Sequence, residues 1–417
     1  MSEFIFKKVV ILGGGPAGLA AACALYEHGI KDILILEREP RLGGILNQCI
    51  HDGFGLTRFQ EALSGPEYAG RFIDKVHAYG IAYQTGCTVV SLTSDKKITA
   101  ASCDGLIRLQ AEVVILAMGC RERPRGAMSI PGDRPSGVFT AGVAQNYINV
   151  RNCMVGKDAI ILGSGDIGMI MARRLTLEGV KVHAVFEILP YPSGLPRNIE
   201  QCLNDYDIPL FLRHTVTRIN GRSRLESVTV SEVGPDMQPI PGTERIWPCD
   251  TLILSVGLIP ENELSRMAGV ELDPRTRGPK VDETGQTSIP GIFAAGNVLQ
   301  VHDLVDFVSL EAEGLAGSVE HYLQSALAGQ TAWYADILTD DSITYTVPQR
   351  LAAPVDFSLS FRPRRPMQNI VFEAHQGDTV IGRLKVKKAL PAVMLHMKVK
   401  GERLKPGETI KVVCIHE

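Results

Sequence analysis

Lys8-Val9-Val10-Ile11-Leu12-Gly13-Gly14-Gly15-Pro16-Ala17-Gly18 is the stretch that decides how this chain folds. Val9 to Leu12 is short, apolar and largely β-branched, the pattern of a parallel strand buried on both faces. A glycine turn follows, then the helical run Leu19 to His28. Gly13 permits the tight turn, Gly15 lets the backbone approach a pyrophosphate, and Gly18 lets the helix pack on the strand. The helix's exposed N–H groups and positive end then hold phosphate oxygens. A second strand, Ile33-Leu34-Ile35-Leu36, ends in Glu37, 19 residues beyond Gly18, where an acid can bind ribose hydroxyls. Strand, glycine turn, helix, strand and acid, in that order, predict a dinucleotide-binding unit.

The pattern recurs. Ala159-Ile160-Ile161-Leu162 leads into Gly163-Ser164-Gly165-Asp166-Ile167-Gly168, a helix from Met169 to Glu178, and a strand from Lys181 to Phe186 that ends in Glu187. The acid again stands 19 residues past the third glycine. A carboxylate at Glu187 would repel a 2′-phosphate and favours NAD over NADP, although Arg173 and Arg174 lie nearby in sequence. Two such units predict two dinucleotides, and the pair that does chemistry is a flavin with a nicotinamide.

Composition is consistent with this. The 417 residues exceed one ordinary domain, and 41 glycines are more than the average share. A net charge of −3 gives no whole-chain reason to expect nucleic acid. Nine cysteines are scattered singly, with no CxxC and no Cys/His zinc spacing, so neither a disulfide framework nor a metal site is expected. The uncharged run Val9 to Tyr26 is as long as a short membrane span, but four glycines and Pro16 interrupt it. A nucleotide unit explains it better, so no transmembrane segment is expected and the unpaired thiols fit a cytoplasmic location.

Further motifs stand in a telling order. Val113-Val114-Ile115-Leu116-Ala117-Met118-Gly119 and Thr251-Leu252-Ile253-Leu254-Ser255-Val256-Gly257 are strands with glycine exits. Gly291-Ile292-Phe293-Ala294-Ala295-Gly296-Asn297 is a third. On these motifs, residues 5–330 resemble the flavoproteins with two dinucleotide-binding domains, which include glutathione and thioredoxin reductases. The resemblance implies an α/β fold with two Rossmann-like three-layer domains. The FAD domain would be discontinuous, 1–122 with 285–330, and the NAD domain, 123–284, inserted after a crossing at Arg121–Pro135. It implies FAD contacts from Gly13, Gly15, Pro16, Ala17, Gly18, Glu37, Arg38, Gly43, Gly44, Asn47, Ala117, Gly119, Gly296, Asn297, Asp306 and Phe307. NAD contacts would come from Gly163, Gly165, Asp166, Ile167, Gly168, Glu187 and Gly257. Met118 replaces the family's Thr, and Asn297 the Asp that binds the flavin's ribityl chain.

The family's disulfide reductases carry a cysteine pair beside the flavin. Here Leu46 stands at the first position and only Cys49 remains, so dithiol exchange is not expected. Candidate redox residues are Cys49, His51, His302 and Asp303. An imidazole could relay a proton near neutrality, and the helix from about Phe307 to Leu323 could stabilise negative charge on the flavin. Inert packing of Cys49 and helix capping by Asp303 or Asp306 are the competing readings.

Three phrases are narrower: Asn47-Gln48-Cys49-Ile50-His51-Asp52-Gly53-Phe54-Gly55-Leu56, Gly119-Cys120-Arg121-Glu122-Arg123-Pro124 and Val301-His302-Asp303-Leu304-Val305-Asp306. They resemble a branch of FAD/NAD oxidoreductase subunits with hydrogen cyanide synthase, opine oxidase and sarcosine oxidase α. They also resemble the flavoprotein associated with glycerol-3-phosphate dehydrogenase-like proteins. That implies an NAD-facing electron-transfer subunit in an oligomer or hetero-complex. Its partner would be a dehydrogenase flavoprotein, a small Cys-rich Fe–S protein, or both. A stand-alone NADH oxidase or quinone reductase is the first alternative, and a non-catalytic assembly or sensing subunit the second.

From residue 331 onward, short alternating runs predict a small C-terminal antiparallel β domain, 331–417. Its net charge is +4 against −7 for the remainder. The excess centres on Arg383, Lys385, Lys387, Lys388, Lys398, Lys400, Arg403 and Lys405, either a solvated strand face or a dock for an acidic partner.

Overall fold

The computed structural model describes residues 4–325 and 334–416. Within them the chain forms two compact units, one up to Cys120 and again from Pro260 onward, the other Arg121–Ile259.

In the first unit the strand Ile5–Leu12 is central. It lies parallel to Ile33–Leu36 on one side, with Val9 beside Ile33 and Leu12 beside Leu36, and to Gly105–Leu116 on the other. Ala82–Gln84 extends one edge, while Lys97–Ser102 and Thr88–Leu92 extend the other as antiparallel strands. Ile292–Ala294 returns late in the chain to lie parallel beside Val114–Leu116. Successive strand residues point to opposite faces, so each side of the central strand needs its own cover. Val9 and Ile11 pack with Leu19, Ala20, Phe72, Ala312 and Val319 from helices Pro16–Glu27, Gly65–Ala78 and Val305–Gln324. Val10 and Leu12 pack on the opposite layer with Ile98, Leu109 and Val298. Both faces are dry, which is why the sequence run is continuous rather than alternating.

The second unit repeats the plan in smaller form. Its parallel sheet runs Val138–Thr140, Thr251–Leu254, Asp158–Leu162, Lys181–Glu187, Leu210–Leu212. A three-stranded antiparallel sheet, His214–Asn220, Ser227–Glu232 and Arg245–Pro248, covers one face through Val216, Val228 and Val230.

The domain boundaries differ from the sequence expectation. The inserted unit ends at Ile259, not at 284. Residues 260–284 pack with the first unit because Ala268, Val270 and Val281 share the core of Val10 and Leu12. The buried Asn262 amide also donates to the Val298 carbonyl at 2.9 Å. The boundary expected at 330–331 lies outside the described residues.

Residues 334–416 have a core of their own, where Phe361 and Phe372 meet edge to face at 4.9 Å. A five-stranded sheet ends in the edge strand Thr379–Ala389, and a three-stranded sheet ends in Leu395–Val399. The expected antiparallel pattern is corrected in one place: Ala335–Thr339 runs parallel to Ile410–His416, so the domain is mixed. Of the basic residues, Arg383 is paired with Glu373 at 3.2 Å and Lys400 with Asp356 at 2.5 Å.

This β layer grips the rest of its unit through charge. The buried Arg362 guanidinium donates to the Tyr345 hydroxyl at 3.0 Å and to the carbonyls of Val301, Pro391 and Ala392 at 2.8–3.0 Å. It also pairs with Asp303, whose side chain is 6% exposed and whose second oxygen accepts the Met394 N–H at 2.7 Å. Removing one member of a buried pair strands the other, at a cost of ~3–5 kcal/mol. Arg362→Met is therefore expected to lower apparent stability in denaturant unfolding by about that amount. Adding Asp303→Asn should recover part of the loss, and a double variant no more stable than Arg362→Met would refute this coupling.

Candidate functional site

The first cradle is built by excluding side chains. Gly13 sits at φ +111°, and a Cβ there would lie 2.4 Å from the Ala117 carbonyl oxygen. A Cβ on Gly18 would lie 1.9 Å from the Gly13 oxygen. Gly15 is different: its Cβ would meet only the Gly44 Cα at 3.9 Å, so open space faces it. Gly15 caps the helix Pro16–Glu27 without any side-chain hydrogen bond. The first-turn amides and the positive helix end thus face a side-chain-free surface, the arrangement that holds a diphosphate. Behind it, buried Glu37 accepts the Gly14 N–H at 2.6 Å and the Glu39 N–H at 2.8 Å, one on each oxygen. Each oxygen keeps a lone pair for a ribose hydroxyl.

The second cradle has the same wiring. A Cβ on Gly163 would lie 2.0 Å from the Ser255 oxygen, and one on Gly168 would lie 2.6 Å from the Gly163 oxygen. Gly165 caps the helix Asp166–Leu177 without a side-chain bond. Glu187 accepts the Ser164 N–H at 3.0 Å and the Leu189 N–H at 3.0 Å, the same sequence offsets as Glu37 with Gly14 and Glu39. The Ser164 and Ser193 hydroxyls add bonds of 2.6 and 2.8 Å to one oxygen. Backbone donors for phosphate and an acid for ribose are present in both units, so the residues fit a dinucleotide in each.

Other expected contacts are spent elsewhere. Asp306 accepts the backbone N–H groups of Gly55, Thr57 and Arg58 at 2.7–3.1 Å. It anchors the 55–58 loop to the helix Val305–Gln324. Asp166 holds the Leu195 N–H at 2.8 Å and the Asn198 side chain at 2.6 Å. Phe307 faces His396, with ring centroids 5.6 Å apart. Arg38 is exposed beside Glu39. Asn47 donates to the Leu42 carbonyl at 2.9 Å and supports the turn at Gly43 and Gly44, both left-handed. Ile167 is only partly buried. Gly119 and Gly257 are also left-handed, at φ +69° and +99°.

The redox candidates separate. Cys49 is buried, its thiol directed at the Ile45 carbonyl at 3.4 Å, and burial pushes its pKa up to about 12. Burial of this kind favours packing over thiolate chemistry. The His51 ring donates from Nδ1 to the Asp52 carbonyl at 3.1 Å and leans on Phe54. Asp303 belongs to Arg362. His302 is the one set within a polar centre. A Cβ on Gly296 would lie 2.8 Å from the Ala17 side chain at the cradle helix. Asn297 Oδ1 accepts the His302 N–H at 3.0 Å. Glu311, from the following helix, accepts the Gly296 N–H at 2.7 Å, the Gln300 side chain at 2.8 Å and His302 Nε2 at 3.3 Å. Burial opposes ionisation of Glu311, but His302 and these donors outweigh it and hold its pKa below the ordinary value.

Sequence reasoning passed over Glu311. Its signal was an acid at the i+3 position after Val308, beside the buried Ala312 and Leu315 of the same helix. Arg362, about 60 residues away, offered no comparable cue. Among the described residues no cluster of His, Cys, Asp or Glu is placed to hold a metal ion. No described helix is long and apolar enough to cross a membrane.

Comparison with known proteins agrees with this geometry. One subunit of the opine oxidase of Agrobacterium tumefaciens is 26% identical over 70% of this chain and 61% of its own length. Hydrogen cyanide synthase subunit HcnB of Pseudomonas protegens is 29% identical over 69% of this chain and 65% of its own. The chain thus spans somewhat under two thirds of these relatives. The small chain of glutamate synthase [NADPH] from Escherichia coli is 27% identical over 76% of this chain and 69% of its own. In fold, the chain is similar to thioredoxin reductase of T. acidophilum, with TM-score 0.63 and 24% identity over 77% of this chain and 99% of that one. The model of the pyridine nucleotide-disulphide oxidoreductases matches residues 7–321, and the chain belongs to that family of FAD- and NAD(P)H-dependent oxidoreductases.

Proposed function

We propose that this chain passes hydride between NAD(H) in the 163–187 cradle and FAD in the 13–37 cradle, as the electron-transfer subunit of a complex with a partner dehydrogenase. The observation that carries the reading is the duplicated cradle, wired alike to Glu37 and Glu187, in a chain with Leu46 where a dithiol needs a cysteine. Bound FAD supplies the two-electron acceptor. The protein's own work is to hold each diphosphate on helix amides, to orient each ribose on an acid, and to keep the buried Cys49 out of the chemistry.

Glu187 supports NAD over NADP. The nearby arginines do not offset it, since Arg173 donates to the Tyr206 hydroxyl and Arg174 pairs with Glu178 and Asn149. Three similar proteins are named as subunits or chains of larger enzymes, which supports a protein partner. In the branch, that partner oxidises a glycerol-3-phosphate, hydroxy acid, amine or imino acid type of substrate.

Stopped-flow reduction tests the reading. NADH should bleach the flavin of the purified chain at least ~10-fold faster than NADPH, the worth of about one charged hydrogen bond. Glu187→Ala should narrow that gap, and unchanged selectivity would remove Glu187 from the site. Turnover with O₂ or quinone by the chain alone should be slow; rapid turnover would favour a stand-alone NADH oxidase or quinone reductase. Cys49→Ser should reduce at near the wild-type rate, whereas a large loss would restore the thiol to the mechanism.

A further inference from the structure

Two polar atoms beside Glu311 lack any partner among the described residues. His302 Nδ1 is buried and without a hydrogen bond, in a side chain that is 4% exposed. Gln300 Oε1 is in the same condition, in a residue that is 1% exposed. Both side chains spend their other polar atom on the same Glu311 oxygen. Buried polar atoms are seldom left bare, and such pairs mark where a further group or a proton belongs. The place is informative. The His302 backbone N–H is bonded to Asn297 Oδ1, and Asn297 follows Gly296, which abuts the cradle helix at Ala17.

Glu311 also settles the ring. With Nε2 directed at a carboxylate, the neutral imidazole carries its one proton there and leaves Nδ1 as a bare acceptor. A second proton, on Nδ1, makes an imidazolium facing an anion. The other charges around the ring nearly cancel, because Asp303 is paired with Arg362. The Tyr345 hydroxyl accepts from that same guanidinium and adds no charge of its own. Partial burial, then the charge of His302, holds the His396 imidazole below its ordinary value despite Asp303 and Glu311.

Resting on the reading that FAD occupies the first cradle, we propose that His302 and Glu311 form a proton-holding pair for the flavin site, with Glu311 as positioning residue and Nδ1 of His302 as the atom that gains and loses the proton. A hydride brings two electrons and one proton, so a neutral acceptor that takes it gains one negative charge. One solvent proton bound at Nδ1 balances that charge. Both that proton and the one the hydride carried return to solvent when the two electrons pass to the next carrier. No bond to His302 other than N–H forms or breaks, and neither residue is oxidised or reduced.

The test is the midpoint potential of the bound flavin against a reference dye between pH 7 and 8, which needs no NADH. Wild type should show a pH slope of two protons per electron pair. His302→Gln, which keeps a donor toward Glu311, should fall to one. Glu311→Gln should retain the step but move it to lower pH, because the imidazolium loses its anion; a purely structural role would not shift it so. His302→Asn serves if the glutamine variant folds poorly. Equal slopes in wild type and the His302 variants, with full flavin in each, would overturn the proton-holding pair while leaving the FAD assignment intact. Wild-type chain that binds no flavin would overturn both.

Discussion

Room for a phosphate is made here by backbone that has no place for a side chain. At Gly13 and again at Gly163, a Cβ would collide with a carbonyl of the neighbouring strand's exit, Ala117 in one unit and Ser255 in the other. At Gly18 and Gly168 it would collide with the turn itself. These contacts bring helix and strand together, and the close approach leaves the helix amides uncovered at Gly15 and Gly165. The two acids then tie the turn from behind through the amides of Gly14 and Ser164. Fold and site are therefore one constraint: the packing that closes the sheet is the packing that exposes the donors.

A second layer of organisation is electrostatic and comes from distant parts of the chain. Glu311 gathers donors from Gly296, Gln300 and His302 on one side of the 296–303 segment. Arg362, on a strand of the C-terminal β layer, clamps Val301 and Asp303 on the other. Charges buried this way cost desolvation and add little net stability, but they fix geometry. The β layer thus contributes position as well as bulk: it ties down both neighbours of His302.

The sequence was legible where chemistry depends on local pattern. Gly13, Gly15, Gly18 and Glu37 fall within 25 residues, as do their counterparts at 163–187, and the four strands and two helices fall where the apolar runs place them. Legibility failed where partners are far apart in the chain. The bonds that tie Asp306 to the 55–58 loop and Asp166 to Leu195 and Asn198 have no local signal in the sequence. Residues 260–284 carry turn signals but no cue that Val270 and Val281 belong to the core of Val10. The parallel pairing of Ala335–Thr339 with Ile410–His416 is likewise a long-range choice that alternation cannot specify.

For hydride to pass between them, the two cradles must be separate sites with separate tasks. Gly165 has an ordinary backbone, φ −63° and ψ 160°, so a side chain there fills the second cradle without straining the turn. The direct measurement is the flavin absorbance of Gly165→Val, purified and held under argon, after NADH and then after dithionite. The predicted result is full flavin content, no bleaching by NADH and complete bleaching by dithionite. Normal bleaching by NADH, or loss of the flavin itself, would contradict the division of labour between the two cradles.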